Sequence, residues 1–267
     1  MTSTQHWTQF HIFQSKIEAK FIPIVLTPIT NSINAFVERD FKKLDDLGIA
    51  GKLVPIFNNL YYQCGFSYGY SIYRQYKSTK AGPVTPESIA QAVVNELRLS
   101  LLTNVHGIEQ SIKDAILATI QQGQAEGWSY EKTSQQVQDV ASIMRSRRIV
   151  RTESVKASNM SATIGAKHTG LVMDKKWISA KDNRVRGNPN GKYPNSQFDH
   201  WDMDGQIVPM DRPFYLSGID ELQFPGDPKG SPGDIINCRC VCSFVPRRDE
   251  RGRAIRVQPG SLQMSLS

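Results

Sequence analysis

Lys175-Lys176-Trp177-Ile178-Ser179, Phe198-Asp199-His200-Trp201-Asp202-Met203-Asp204-Gly205-Gln206 and Ile236-Asn237-Cys238-Arg239-Cys240-Val241-Cys242 are three fragments of one stretch, Leu171 to Val245. Between them lie many turn formers and few long apolar runs, so the stretch reads as short strands tied by ordered loops. The residues before it place apolar side chains at three- and four-residue steps, the period of a helix. That contrast decides the fold class: α+β, a mostly helical N-terminal part followed by a small C-terminal mixed α/β module with short strands and long ordered loops.

Composition narrows the function. A chain of 267 residues can bury a core without disulfide or metal staples, although its hydrophobic fraction of 39% is low. The formal charge of +7 suits contact with a polyanion such as double-stranded DNA, and says nothing about fold. Met1 to Lys16 lacks the basic-then-apolar order of a secretory signal. The longest apolar run, Phe21 to Ile29, is broken by Pro23 and Pro28 and falls well short of the ~20 residues that span a bilayer. A protein made in a cytoplasm, with no membrane partner, is expected.

Along the chain, Trp7, Phe10, Ile17 and Phe21 predict a helix over residues 3–26. Pro28 suits the start of a second, carried by Ile29, Ile33, Phe36, Phe41, Leu44 and Leu47 and stopped at Gly48. Leu53 to Tyr76 is an aromatic helix weakened by Gly65 and Gly69. Pro86 opens a helix over Ile89, Val93, Leu97 and Leu101, and another runs from Ile108 to about Gln122 before a turn at Gly123 and Gly127. Ser129 caps a long helix over about 130–165, whose first half buries Val137, Val140 and Met144. In its second half Ser154, Ala157, Ser158, Ser161, Ala162 and Gly165 form a stripe of small residues, which lets another backbone approach closely, the β module that follows being the expected neighbour. The resulting division is a helical region 1–77, a linker 78–86, a helical region 87–165, an α+β module 166–246, and a basic, flexible tail 247–267.

The chemistry-bearing residues have competing readings. On an extended strand Ile236, Cys238, Cys240, Cys242 and Phe244 share one face, and free cysteine behaves there as a small buried hydrophobe. The sharper reading is a metal site in which His200 joins Cys238 and Cys240. The absence of a C-x-x-C knuckle or a second histidine cluster ranks it behind the core strand, so neither metal nor cofactor is expected. His200 with Asp202 and Asp204 could also serve a metal-dependent enzyme acting on nucleic acid. No nucleophile motif or phosphate loop supports that, and Asp204-Gly205 reads better as a turn in which Gly205 takes positive φ. Asp182 with Arg184 or Arg186 is expected to hold neighbouring loops. Arg145, Arg147, Arg148 and Arg151, with Arg247, Arg248 and Arg251 in the tail, are the candidates for DNA contact, although acids such as Glu153 and Asp139 could neutralise the helical set.

With these residues laid out, the second half resembles the phage Mu F-like family of minor head proteins. The likeness runs through Gly127-Trp128-Ser129, Ile149-Val150-Arg151-Thr152-Glu153, Ala157 and Asn159, Trp177, Asp182, Arg184-Val185-Arg186, His200, Asp204-Gly205, Pro213-Phe214, Pro225-Gly226-Asp227 and Asn237-Cys238-Arg239-Cys240. The link Gly187 to Pro194 is longer than that pattern leads one to expect. The resemblance implies a non-enzymatic virion protein that meets the portal protein, with the major capsid or scaffolding protein as further partners, during head morphogenesis and DNA packaging or ejection. It gives Trp177, Asp182, Arg184, His200, Gly205, Asn237, Cys238 and Cys240 structural roles. The alternatives are a DNA-binding accessory protein of the virion and, behind it, the His200 enzyme. The aromatic helix and the segment Arg145 to Gly165 are the expected docking elements.

Overall fold

A computed structural model describes residues 2–78 and 81–257. Among the described residues, six α-helices precede the β module: α1 (Ser3–Glu38), α2 (Ile49–Cys64), α3 (Tyr70–Tyr76), α4 (Pro86–Glu126), α5 (Tyr130–Gln138) and α6 (Ile143–Lys167). The module holds a three-stranded antiparallel sheet in the order β2 (Ile207–Pro209), β1 (Met173–Ile178), β5 (Val241–Pro246). It adds a hairpin, β3 (Phe214–Leu216) with β4 (Asp220–Leu222), and one short helical turn, α7 (Pro232–Ile235). The α+β class stands.

Several helix boundaries differ from the sequence expectation. α1 does not restart at Pro28 but runs through both Pro23 and Pro28. An interior proline removes one helical hydrogen bond and costs about 3 kcal/mol. Here the buried stripe Phe21, Val25, Ile29, Ile33 and Phe36 keeps the helix continuous across both sites. By length and composition α1 could cross a membrane, yet that stripe is enclosed in the helical core. It ends at Glu38 rather than near Leu47, because Asp40, Phe41 and Lys43 take positive φ. α4 is one helix where two were expected; Gly107 lies within it and meets no neighbour, so nothing there forces a break. The expected long helix is instead two, since Ser142 leaves the helical conformation and caps α6 by accepting from Arg145 N–H at 3.2 Å. Met144 is consequently exposed, while Val137 is buried as expected.

Gly65 and Gly69 interrupt the aromatic helix with a π turn. Their lack of a side chain is used for contact: a Cβ on Gly69 would stand 2.8 Å from the Ser161 carbonyl oxygen, and one on Gly165 would stand 2.2 Å from that of Gly69. The small-residue stripe of α6 therefore does receive a close neighbour, and on this side it is the π turn rather than the β module. Val150, Ala157 and Ile164 of α6 join the helical core, whereas Val155, Ala162 and Ala166 join the core under the sheet with Trp177, Phe214 and Phe244. Every residue from Glu153 to Ala166 except Met160 is buried. α6 is a central wall between two cores, and of the segment expected to dock only its first turns, with Arg147 and Arg148, face solvent. In the aromatic segment Phe57, Tyr61, Tyr68 and Tyr73 are core, and Phe66 is the large apolar side chain that stays exposed.

The expected strand from Ile236 begins only at Val241, where pairing with Ile178 starts. Asn237 takes φ of 59°, turning the chain out of extension, and Ile236 is exposed. Cys238 and Cys240 are thus loop residues. Within the described part of the tail, Arg247 pairs with Asp174, and bridges join Arg248 to Ala254 and Leu171 to Arg256. The remaining tail, 258–267, lies outside the described residues, as do residues 79–80 of the expected linker.

Candidate functional site

The loop Ile236 to Cys240 and the segment around His200 converge beside the first turns of α6. Asn237 donates its backbone N–H to Thr152 Oγ1 at 2.9 Å, and its side-chain oxygen accepts from Arg151 at 3.2 Å. Asn159, two turns further along α6, donates to the Pro225 and Cys240 carbonyls at 2.9 and 3.2 Å and accepts from Cys242 N–H at 2.9 Å. One amide therefore fixes both loop and strand to the helix. Residues 187–194 fold back on the Asp182 loop, with Asn188 donating to the Asp182 carbonyl at 2.9 Å. The Arg186 carbonyl then accepts from both His200 and Trp201 N–H. The long link leaves His200 anchored.

His200 is buried, and its two ring nitrogens face different groups. Nδ1 lies 3.4 Å from Cys240 Sγ and 3.6 Å from Cys238 Sγ. Nε2 lies 3.2 Å from an Asp234 carboxylate oxygen and 3.2 Å from the Arg186 guanidinium. The three candidate ligand atoms all fall within 4.8 Å of one another. Burial alone would lower the His200 pKa, but Cys238 and Asp234 reverse this and leave it raised. The Cys240 side chain, helped against burial by the charge of His200, holds the Cys238 thiol well below its ordinary range; burial, then Cys238 itself, pushes Cys240 well above. Trp177 closes it from the sheet side, its ring edge-on to His200 at 5.6 Å and to Phe214 at 5.3 Å.

A cleft of about 870 Å³ borders the cluster, with His200, Cys238 and Cys240 on its wall. Arg148, Arg184, Arg186, Lys192 and Arg239 also line it, with no acid among the described lining residues. Much of this positive charge is already engaged. Arg184 and Arg239 both meet Asp182, and Arg186 donates to the Asp234 and Ile236 carbonyls. Asp182 thus holds loops as expected, though its second arginine is Arg239 rather than Arg186.

The other site candidates are dispersed. Asp204 accepts from Ser179 N–H at 2.9 Å and pairs with Lys181 at 2.8 Å, while Asp202 is exposed. Neither joins His200 in a ligand set. Gly205 has φ of 89° and donates to the Trp177 carbonyl, so the turn forms and docks on β1. Arg151 is held by both oxygens of Glu18 at 2.8 and 2.9 Å, and Arg145 is half-buried against the Ser111 carbonyl. Arg147 and Arg148 face solvent, as do Arg248 and Arg251 in the tail. Of the seven arginines, Arg145, Arg151 and Arg247 are already engaged by protein partners. Asp234 is the residue that sequence reasoning missed. It lies 34 positions from His200, and its visible signal was only a Ser-Pro-Gly-Asp helix start.

A family model described as Phage Mu protein F like protein matches residues 110–243, half of the chain. The matched segment runs from the middle of α4 to β5 and contains every residue of the cluster. The chain is also 32% identical over 102 residues to a Bacillus subtilis (strain 168) protein named Uncharacterized protein YqbB. That alignment covers 38% of this chain and 30% of the relative. No solved structure matches the chain.

Proposed function

We propose a role in phage head morphogenesis from one established premise: this chain belongs to the phage Mu F-like protein family. Family membership favours a structural head protein of the virion over an enzyme. Within that role we read the chain as a minor head protein, made in the host cytoplasm and seated at the portal vertex, where it influences DNA packaging and ejection.

The observation that carries this reading is what the family-matched segment does with its polar side chains. Asn159, Asp182, Arg186 and Asp234 each bond to a loop backbone or another side chain, and Glu153 and Lys156 pair at 2.9 Å inside the core. Such bonds fix a surface for a partner. The exposed apolar residues Leu99, Leu102 and Leu117 of α4 are available to that partner, Leu99 with 80% of its surface free. The test is isolation of portal oligomers from assembly intermediates. Stoichiometric recovery of this chain with the portal is expected; its absence from both procapsids and virions would refute the proposal.

A further inference from the structure

We propose that His200, Cys238 and Cys240 bind a zinc ion, with Asp234 positioning the histidine from behind. The donor set is two sulfurs and one imidazole nitrogen, which suits zinc among common biological divalent ions. The three atoms approach within 4.8 Å of one another from two loops that meet only in the fold. Zinc–sulfur bonds of about 2.3 Å and zinc–nitrogen bonds of about 2.0 Å fit between atoms at this separation. Ordinary core cysteines need no such convergence. Cys64 and Cys242 are equally buried and neither takes part in the cluster.

The surroundings have the features that hold a metal-bound cysteine and histidine. Cys240 N–H donates to Cys238 Sγ at 3.4 Å, so a one-residue spacing still gives a sulfur stabilised by a backbone amide. The buried Trp177 indole N–H has no hydrogen-bond partner of its own, and its ring stands edge-on to His200 at 5.6 Å. On the far side of the ring Asp234 faces His200 Nε2 at 3.2 Å. A carboxylate there fixes the tautomer that leaves Nδ1 free to ligate, the usual partner of a metal-bound histidine. Charge agrees: two thiolates and a neutral imidazole around a divalent ion sum to zero, which a buried site requires. The cleft beside the trio leaves the fourth position to a water molecule.

The test uses the full chain, purified reduced and without a metal-affinity tag, and analysed for metal by mass spectrometry. One equivalent of zinc per chain is expected. It should be lost in Cys238→Ser and His200→Ala and retained in Cys242→Ser. Asp234→Asn should weaken zinc by about 10- to 100-fold in competition with a chelator. Should the ligand variants fail to fold, cobalt loading of the unaltered chain decides the question. A tetrahedral visible spectrum with a sulfur-to-cobalt charge-transfer band is expected. Wild-type chain that takes up no stoichiometric zinc, or an octahedral cobalt spectrum without that band, would overturn the assignment.

Discussion

Gly165→Ala offers the strictest test of how α6 is seated, because the same substitution elsewhere in the chain should act in the opposite direction. Alanine in place of a helical glycine ordinarily stabilises by about 0.5–1 kcal/mol, through lower backbone entropy in the unfolded chain. Gly107 in α4 is exposed and meets nothing within 4 Å, so Gly107→Ala should gain that amount. At Gly165 the added Cβ would stand 2.2 Å from the Gly69 carbonyl oxygen, a backbone atom with no rotamer to relieve it. Ordinary contact begins near 3.4 Å, so α6 and the π turn must part by roughly 1 Å, with the stripe from Ser161 to Gly165 losing its neighbour. Overpacking of a close-packed core costs about 1–3 kcal/mol and sometimes more, and a backbone clash belongs at the upper end. Less the helix gain, the net loss should be about 2 kcal/mol. Urea unfolding at equilibrium, with the slope checked for constancy, measures both variants against the parent. A Gly165→Ala protein as stable as Gly107→Ala would refute the close crossing.

Two further outcomes follow from buried polar groups. Lys175, buried and donating to the Gln223 carbonyl at 2.9 Å, has its pKa lowered by burial to about 8, against about 10.4 when exposed. Between those values the unfolded chain binds more protons than the folded one, so stability rises with pH across that window, by on the order of 3 kcal/mol. Lys175→Met should flatten that rise when urea midpoints at pH 8 and pH 10 are compared; equal rises in the two proteins would show that Lys175 is not the cause. Asn159→Ala removes three buried hydrogen bonds at once and strands the Cys242 N–H and two carbonyls. At about 1–3 kcal/mol for each unsatisfied group, the loss should exceed about 3 kcal/mol by urea unfolding and increase amide exchange in β5 first. Unchanged exchange in β5 would contradict the anchoring role.

What the sequence revealed depended on whether the cause was local. The Asp204-Gly205 turn, the Ser129 cap and the Asp182–Arg184 pair lie within a few residues of their partners and could be read directly. The small-residue stripe announced a close neighbour, but at Ser161 and Gly165 that neighbour is the π turn and not the expected β module, since a stripe constrains distance and not partner. Ile236 to Phe244 alternates like a strand, yet a strand also needs a partner edge, and β1 supplies one only from Ile178 opposite Val241. The proline rule failed in α1 because tertiary burial outweighed the local penalty. Asp234, Arg239 and Glu18 reach their partners across 34, 57 and 133 residues, a distance at which no spacing rule operates. The metal-ligand trio was visible only as a set of residue types; its convergence comes from the turn at Asn237, which an extended strand would have excluded.

That turn ties the candidate site to the central helix. From α6, Ser154 and Ser158 bond to Gln14 of α1, Glu153 takes the Tyr61 hydroxyl of α2, Thr152 and Arg151 hold Asn237, and Asn159 holds Cys240 and Cys242. Apolar contact tolerates small rotations and slides, whereas hydrogen bonds lose most of their strength once the angle closes towards 120°. A rotation of α6 would therefore leave buried partners unpaired in both cores together, each at about 1–3 kcal/mol. The loop carrying Cys238 and Cys240 is fastened to α6 at Asn237 and again at Cys240, so its sulfurs inherit the helix's fixed position. His200 is held against that loop through the Arg186 carbonyl and Asp234, and the Arg186 guanidinium in turn donates to the Asp234 and Ile236 carbonyls. Two loops fastened to each other and to α6, and meeting at three ligating atoms, favour a geometry set in advance over one assembled by its occupant. The cluster's rigidity then belongs to the same framework that would present this protein's surface to a partner in the phage head.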